Sequence, residues 1–200
     1  MVSLEEGICA VRVAREWIDA ETNGRSAESK FPESFEKMNN GVFVSLNEHP
    51  SGILRGCIGY PQPPFDLARA LTLSARGVCY DERFPRLRST QVSRVTVEVT
   101  ILTVPQKIEY QTIDELISQI EIGKDGLIVR YARNMGLVNS ALYLPQVPVE
   151  EGWDHKTYLS HLCMKAGLQE DAWRSCSLEF QKFQGEIFSE TSPCGEIVRR

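Results

Sequence analysis

Residues 94–104 alternate apolar and polar side chains more clearly than any other segment of the chain. Successive side chains of a β-strand point to opposite faces of its sheet. One face of this segment is therefore apolar and the other polar: Val95, Val97, Val99 and Ile101 against Arg94, Thr96, Glu98 and Thr100. Such a strand is typical of an antiparallel sheet that is covered on one side. Pro105 ends it.

Two pairs of short β-type segments predict two antiparallel hairpins. The first pair is 41–47 and 53–60, joined by the turn-forming residues EHPSG, and the second is 125–132 and 139–145. A late strand is predicted over 177–188, with an irregularity at its glycine. Two hairpins with separate helices indicate two packed lobes more than one continuous sheet.

The predicted helices follow from periodicity and from capping residues. An amphipathic helix near the N-terminus has the apolar positions Leu4, Ile8, Val11 and Ile18. A second helix is predicted to start directly after a group of prolines. Its apolar positions are Phe65, Ala68, Leu71, Ala75 and Val78. Capping-box pairs predict where two helices start, at Ser3–Glu6 and at Thr112–Glu115. A further helix is predicted from an N-cap at Asp154 to a left-handed stop at Gly167.

Composition and charge narrow the class of protein. The chain has 200 residues, of which 42% are hydrophobic and 24% charged, as is ordinary for a globular protein with a sizeable core. A net charge of -5 and the lack of a dominant basic segment disfavour unassisted nucleic-acid binding. A loose group of arginines leaves local anion binding open: Arg83, Arg86 and Arg88, with Arg94 beyond.

Targeting, cysteine and histidine patterns give further expectations. No apolar run is long enough to span a bilayer, and the first residues are acidic where a signal peptide needs positive charge, so we expect a cytoplasmic protein without a membrane segment. The six cysteines form no CxxC pair and are expected to be free thiols. His155 and His161 do not share a helical face and His49 precedes a proline, so we expect no metal site.

The sequence LRGCIG, residues 54–59, is the main functional candidate. Regular alternation would put Arg55 and Cys57 on one face about 7 Å apart, close enough for the guanidinium to favour a thiolate. It would turn Leu54 and Ile58 towards the core. Gly56 and Gly59 would leave room beside the thiol. Alternatively, Cys57 is a small buried hydrophobic residue and the glycines admit a neighbouring element, since no base lies nearby in the sequence.

Three other places carry candidate side chains. In DERFP, Asp81 and Arg83 form either a local ion pair that caps a helix or part of a site. In LPQVPVEEGWD, restrictive prolines and a glycine surround Gln146, Glu150 and Trp153, which fits a binding rim or a tied-down connection. Glu98, on the polar face of its strand, is either solvated or functional.

The motifs GVFVSL, LRGCIG, DERFP, VEVTILT, GLIV, LPQVPVEEGWD, CMKAGL and AW occur in the order found in the AMMECR-one family. The chain resembles that family over essentially its whole length, and LRGCIG combined with LPQVPVE and GWD is highly specific. Where relatives often read DPRFP, this chain has Glu82. That departure leaves the Arg55–Cys57 pair unchanged.

The resemblance implies an α+β fold of two unequal lobes, each an antiparallel sheet flanked by helices, with a cleft between them that LRGCIG faces. We expect the larger lobe to comprise 1–105 and 176–200 and the smaller lobe 106–175. The family's genomic neighbourhoods imply a Memo-like or radical-SAM protein as partner. The resemblance leaves the cofactor unknown and implies no established activity.

Two hypotheses about function follow. The first is an interaction or substrate-binding protein that uses the inter-lobe cleft, with these candidate contacts: Leu54, Gly56, Ile58, Gly59, Asp81, Arg83, Glu98, Gln146, Glu150, Trp153 and Asp154. The second is a cysteine-dependent enzyme acting on a peptide, protein or modified small substrate. There Cys57 would be the nucleophile or redox thiol and Arg55 its activator or an anion holder, with Glu98, Asp81 or Glu150 as acid or base.

Overall fold

The computed structural model describes residues 2–132, 138–175 and 178–200. The chain divides into two compact units, Met1–Thr103 with Glu186–Arg200, and Val104–Gly185. Each unit combines an antiparallel sheet with helices, so the predicted α+β class is confirmed. The cleft expected between the lobes stays a prediction.

The helices and strands follow one another along the chain as α1 (Leu4–Thr22), β1 (Val42–Glu48), β2 (Leu54–Tyr60), α2 (Leu67–Gly77), β3 (Val95–Leu102), β4 (Gln106–Lys107), α3 (Ile113–Ser118), β5 (Gly126–Ala132), β6 (Val138–Tyr143), α4 (Val147–Glu150), α5 (His155–Lys165), β7 (Glu179–Phe183), β8 (Gly185–Glu190) and β9 (Ile197–Arg199). Short 3-10 segments lie at 33–36, 78–80, 89–94 and 172–174. Within the described part of the chain, no helix is long and apolar enough to cross a membrane.

Helix α1 begins at the predicted capping box. The Ser3 hydroxyl accepts a hydrogen bond from the Glu6 N–H at 3.2 Å, and the Glu6 carboxylate accepts one from the Ser3 N–H at 2.8 Å. The buried face of α1 includes Val11 and Ile18, as predicted. Leu4 is 50% exposed instead, because it is the first residue of the helix and lies outside the packed turns.

The first unit is built on a five-stranded sheet in the order β2-β1-β3-β8-β9. Val44 of β1 lies between Ile58 of β2 and Val99 of β3, and all three side chains belong to or pack against one apolar core. Buried residues of α1 and α2 complete that core. The apolar face predicted for β3 is therefore confirmed.

Helix α2 brings the DERFP segment to the edge of this sheet. Asp66 caps the helix by accepting a hydrogen bond from the Arg69 N–H at 2.8 Å, so this aspartate, and not the preceding prolines, fixes the first turn. The helix ends at Gly77 and continues as the 3-10 segment Val78–Tyr80. Asp81 follows directly and lies beside β2.

The second unit contains a four-stranded sheet in the order β4-β7-β5-β6. β5 and β6 pair antiparallel, which confirms the second hairpin. Helix α5 starts at the predicted N-cap, Asp154, and Gly167 has a φ of +74°, the left-handed stop that was predicted. A separate core is formed by side chains of the sheet and of α5, including Val129, Phe180 and Leu162.

The late strand predicted over 177–188 is two strands in two different sheets. β7 pairs with β4 and β5, whereas β8 joins the sheet of the first unit. Phe180 is buried in the core of the second unit and Phe188 in the core of the first, so the chain passes from one sheet to the other near Gly185. The larger lobe predicted from the sequence includes all of 176–200, whereas the first unit includes only Glu186–Arg200 of that range. Cys176 lies outside the described residues.

Candidate functional site

Arg55 is the extra residue of a β-bulge. Leu46 of β1 pairs with Gly56, and the next residue, Asn47, pairs with Leu54, which leaves Arg55 without a partner position. A bulge interrupts the alternation of side chains. The prediction that Arg55 lies beside Cys57 assumes uninterrupted alternation, which the bulge interrupts at Arg55.

The Arg55 side chain instead contacts the DERFP segment. Its residue is 9% exposed, and the guanidinium Nη2 donates a hydrogen bond to the Pro85 carbonyl at 2.6 Å. The guanidinium carbon also lies 6.0 Å from the centre of the Phe84 ring. The bulge thus directs a buried cation towards residues 84 and 85.

Asp81 and Arg83 cover the free edge of β2 at Cys57. The Cys57 N–H donates to the Asp81 carboxylate at 2.8 Å, and Arg83 Nη2 donates to the Cys57 carbonyl at 3.1 Å. The two side chains also form an ion pair at 2.8 Å. The predicted ion pair is therefore present, but it satisfies the backbone of an edge strand and does not cap a helix.

The electrostatics of Asp81 follow from these bonds. Hydrogen bonding from the Arg83 guanidinium, with further donors from the Cys57 and Arg83 N–H groups, outweighs burial and lowers the pKa of Asp81 to about 2. A carboxylate with this pKa stays ionised near neutral pH. Asp81 is therefore suited to holding strand β2 in place. It is poorly suited to the acid or base role that the sequence suggested for it.

Cys57, Ser45 and Glu98 form a row across three adjacent strands. Ser45 of β1 pairs with Cys57 on one side and with Glu98 on the other. Directly paired residues share a face of the sheet, and the neighbouring row, which contains Val44, faces the core. We call Cys57, Ser45 and Glu98 the thiol row. With strands about 4.8 Å apart, its two ends are about 10 Å apart at the backbone.

Glu98, at one end of the thiol row, has a raised pKa. Burial raises the pKa of its carboxyl, and the charge of Arg200 opposes that shift. Among the residues that the structure describes, none donates a hydrogen bond to the Glu98 carboxyl or lies within ion-pair distance of it. A half-buried carboxyl with a raised pKa is a common acid or base in enzyme sites. The sequence left open that Glu98 is simply a solvent-exposed residue, and its partial burial does not fit that alternative.

The two glycines of LRGCIG are explained by packing. A Cβ on Gly59 would lie 2.4 Å from both the Phe43 ring and the Val42 carbonyl. A Cβ on Gly56 would lie 3.1 Å from the Val78 carbonyl. The room expected beside the thiol is therefore occupied by a ring and by backbone, as the structural alternative proposed.

The two apolar residues of LRGCIG, Leu54 and Ile58, differ in how far they are buried. Ile58 packs against the core of the first unit, as predicted. Leu54, predicted to do the same, is 40% exposed, because it precedes the bulge and begins the strand. Only Ile58 therefore anchors this strand through an apolar side chain.

The candidates of LPQVPVEEGWD lie in the second unit. Gln146 and Glu150 are exposed at the ends of the short helix α4. The Trp153 ring stacks on His161 with the ring centres 4.1 Å apart, and the Asp154 carboxylate caps α5 by accepting from the Thr157 N–H at 2.8 Å. Trp153 and Asp154 thus have structural contacts of their own.

Cys57 differs in exposure from two other cysteines of the chain, whereas Cys9 is equally exposed and Cys194 more so. Burial raises the pKa of Cys79 to about 12 and that of Cys163 to about 11, so both are expected to be unreactive. Cys57 is a free thiol of intermediate exposure. In the described ranges, no group of three histidine, cysteine or acidic residues could hold a metal ion.

Sequence reasoning missed Ser45. The sequence did contain a signal that Ser45 lies near Cys57, because the turn of the first hairpin fixes an approximate register between β1 and β2. The bulge would still have displaced that register by one residue.

Comparison with known proteins assigns the family. The family model AMMECR1 matches residues 11–188. The chain belongs to the AMMECR1 family. This confirms the resemblance seen in the sequence motifs.

Relatives of this AMMECR1-family protein match it from end to end. Protein MJ0810 of Methanocaldococcus jannaschii is 40% identical, covering 100% of this chain and 98% of the relative. Protein MK0488 of Methanopyrus kandleri is 41% identical, covering 100% and 95%. The crystal structure of the uncharacterized protein PH0010 from Pyrococcus horikoshii is 38% identical with a TM-score of 0.81, covering 100% and 98%. None of these names states an activity.

Proposed function

We propose that this AMMECR1-family protein binds a substrate or a partner segment at the thiol row of its first unit. The observation that carries the proposal is the Glu98 carboxyl, half-buried, raised in pKa and without a donor among the described residues. The Glu98 carboxyl is half-buried and not fully enclosed, so its oxygens reach the surface of the first unit. A ligand that donates a hydrogen bond to Glu98 would satisfy this group.

The chemistry of the row suggests the class of ligand. A carboxyl accepts from N–H or O–H groups, the neighbouring serine hydroxyl both donates and accepts, and the cysteine thiol does so weakly. Phe43 lies two residues before Ser45 on the same strand and so on the same face, where it adds an aromatic surface whose ring lies over Gly59. A peptide backbone or an amine next to an apolar group would match these features.

A thermal-shift screen of short peptides and primary amines tests this proposal. We expect compounds that raise the Tm of the wild type to lose most of that effect in Glu98→Gln and Ser45→Ala. Glu33→Gln, an exposed change in the same unit, is the matched control and should respond like the wild type. Stabilisation that survives equally in Glu98→Gln would contradict a ligand at the thiol row.

A cysteine-dependent enzyme is the second candidate. It is favoured by the exposure of Cys57 relative to the two buried thiols and by a raised-pKa carboxyl in the same row. In this version the Cys57 sulfur adds to a carbonyl carbon of the substrate as the C=O π pair moves onto the oxygen. The thiol proton passes to Ser45 while the Ser45 hydroxyl proton passes to the Glu98 carboxylate. Arg83, bonded to the Cys57 carbonyl, holds the nucleophile in place.

Alkylation of the folded protein separates the two candidates. For the enzyme, iodoacetamide should modify Cys57 well below the pH at which a free cysteine reacts, as followed by peptide mass spectrometry. Glu98→Gln should slow this modification, whereas Glu33→Gln should not. Modification of Cys57 only after unfolding would leave simple binding as the function.

A Memo-like or radical-SAM partner remains part of the proposal through the family resemblance. Gentle purification from the native source, followed by identification of co-eluting proteins, is the direct test. We expect such a partner to be lost from the Arg55→Ala variant and retained by Glu33→Gln. Recovery of the protein without either partner class would count against this association.

A further inference from the structure

We propose that the first unit has a second binding site, for a small oxyanion, beside the β1–β2 turn. A cavity of about 220 Å³ lies there, between the end of β1 and the start of β3. Its lining includes two arginines and a histidine against one acidic residue: Glu48, His49, Arg55, Gln91, Arg94 and Val95. The thiol row does not contribute to this lining.

The main argument is that Arg55 is a buried cation without a counter-charge. Its one hydrogen bond in the described structure is to the neutral Pro85 carbonyl, and no carboxylate there lies within ion-pair distance of it. Burying an unpaired charge is costly, and buried charges in proteins are normally paired. Arg55 lines the cavity, and its guanidinium nitrogens other than the Nη2 bonded to Pro85 are not enclosed away from solvent.

Arg15, in the same unit, shows how this fold otherwise treats a buried guanidinium. Arg15 forms a two-point ion pair with Glu190 and also donates to the Val92 and Val95 carbonyls, at 3.0 and 2.8 Å. The charge of Arg15 is thus paired with Glu190, and most of its N–H groups donate to acceptors within the protein. Arg55 has one such bond, so the donors that remain are available to a ligand.

The other walls of the cavity add donors for an anion. Arg94 and His49 are exposed neighbours in the lining, joined by a hydrogen bond from the His49 N–H to the Arg94 carbonyl at 2.9 Å. The Gln91 side-chain oxygen already accepts from the Arg88 N–H, which leaves its amide N–H groups free to donate. Glu48 opposes anion binding, but two guanidinium groups outweigh its single charge.

The chemistry identifies the ligand as a carboxylate or phosphate group, either free or at the end of a larger molecule. A guanidinium fork matches the two oxygens of such groups and binds them by charge-assisted hydrogen bonds. The volume accommodates a small oxyanion with its first waters. The inference is independent of the thiol row and would stand if that proposal failed.

Isothermal titration with inorganic phosphate and with acetate, at constant ionic strength, tests the site. We expect at least one of the two to bind the wild type with a Kd of about 10 mM or tighter. Arg94→Gln should weaken this binding about tenfold or more, the effect of removing a charge-assisted bond of about 1.5 kcal/mol. Arg55→Lys should weaken it as well, because an ammonium lacks the fork.

Arg25→Gln is the matched control. Arg25 is an exposed arginine of the same unit that pairs with Asp19, and its loss should change the Kd less than twofold. Preference for phosphate or for acetate would identify the oxyanion. Absence of binding by both anions, or binding that Arg94→Gln and Arg25→Gln affect equally, would overturn the proposal. Arg55 is buried, so Arg55→Lys could disturb folding. Arg94 is exposed, so Arg94→Gln is expected to fold normally and tests the site by itself.

Discussion

Replacing Asp81 with asparagine is expected to destabilise the first unit in a pH-dependent way. In the folded protein the pKa of Asp81 falls from its ordinary value of 3.8 to about 2, chiefly through the hydrogen bond from Arg83. At about 1.36 kcal/mol per pKa unit this corresponds to about 2–3 kcal/mol. The Arg83 side chain is 60% exposed, so solvent screening reduces the expected value to about 2 kcal/mol.

The sign follows from the depressed pKa. The stabilisation is fully present above pH 3.8, the value in the unfolded chain, and is lost as the pH falls through about 2. Asp81→Asn should therefore be less stable than the wild type by about 2 kcal/mol at pH 7. Near pH 2 the two proteins should differ much less, because the wild-type carboxyl is then largely protonated.

Urea unfolding at pH 7, 5 and 3, followed by circular dichroism, measures this effect. For a chain of this size, 2 kcal/mol corresponds to a Tm lower by about 4–8 °C. Arg83→Gln should lose a similar amount, and the double variant should lose less than the sum, because the pair acts together. A loss below about 0.5 kcal/mol at pH 7, or the same difference at pH 3 as at pH 7, would refute the electrostatic argument.

Three further predictions concern local structure. Gly59→Ala should destabilise the protein by about 2 kcal/mol or more, because the added Cβ meets the Val42 carbonyl at 2.4 Å; a Tm equal to that of the wild type would contradict the close packing. Ser3→Ala should cost about 1 kcal/mol in urea unfolding through the lost N-cap of α1, and Glu5→Gln beside it should cost much less. In the native protein, iodoacetamide should modify Cys57 before Cys79, whose thiol is buried with a pKa of about 12; the reverse order by mass spectrometry would contradict this burial.

Local patterns were sufficient to predict most elements of the first unit. The capping box at Ser3 and the alternation along β3 depend on residues a few positions apart, and both are present in the structure. The division of the late strand into β7 and β8 could not be predicted in this way. It depends on which of two distant cores each phenylalanine reaches, and Phe180 and Phe188 look alike in the sequence.

The candidate site was harder to predict than the fold, for a related reason. The type of residue at Arg55, Cys57 and Glu98 pointed to chemistry, but their arrangement depends on a bulge and on pairing between strands. Neither has a signal within LRGCIG itself. Ser45 was missed because it becomes part of a row only when the register of β1 with both neighbours is known.

The bulge at Arg55 also changes how the LRGCIG motif should be understood. With regular alternation the guanidinium and the thiol would serve one site. In the structure Arg55 lines a cavity beside the β1–β2 turn, whereas Cys57 belongs to a row shared with Ser45 and Glu98. Substitution of Arg55 should therefore alter anion binding while leaving Cys57 alkylation nearly unchanged. Asp81 contacts the Cys57 backbone directly, so Asp81→Asn should perturb Cys57 alkylation more than Arg55→Lys does.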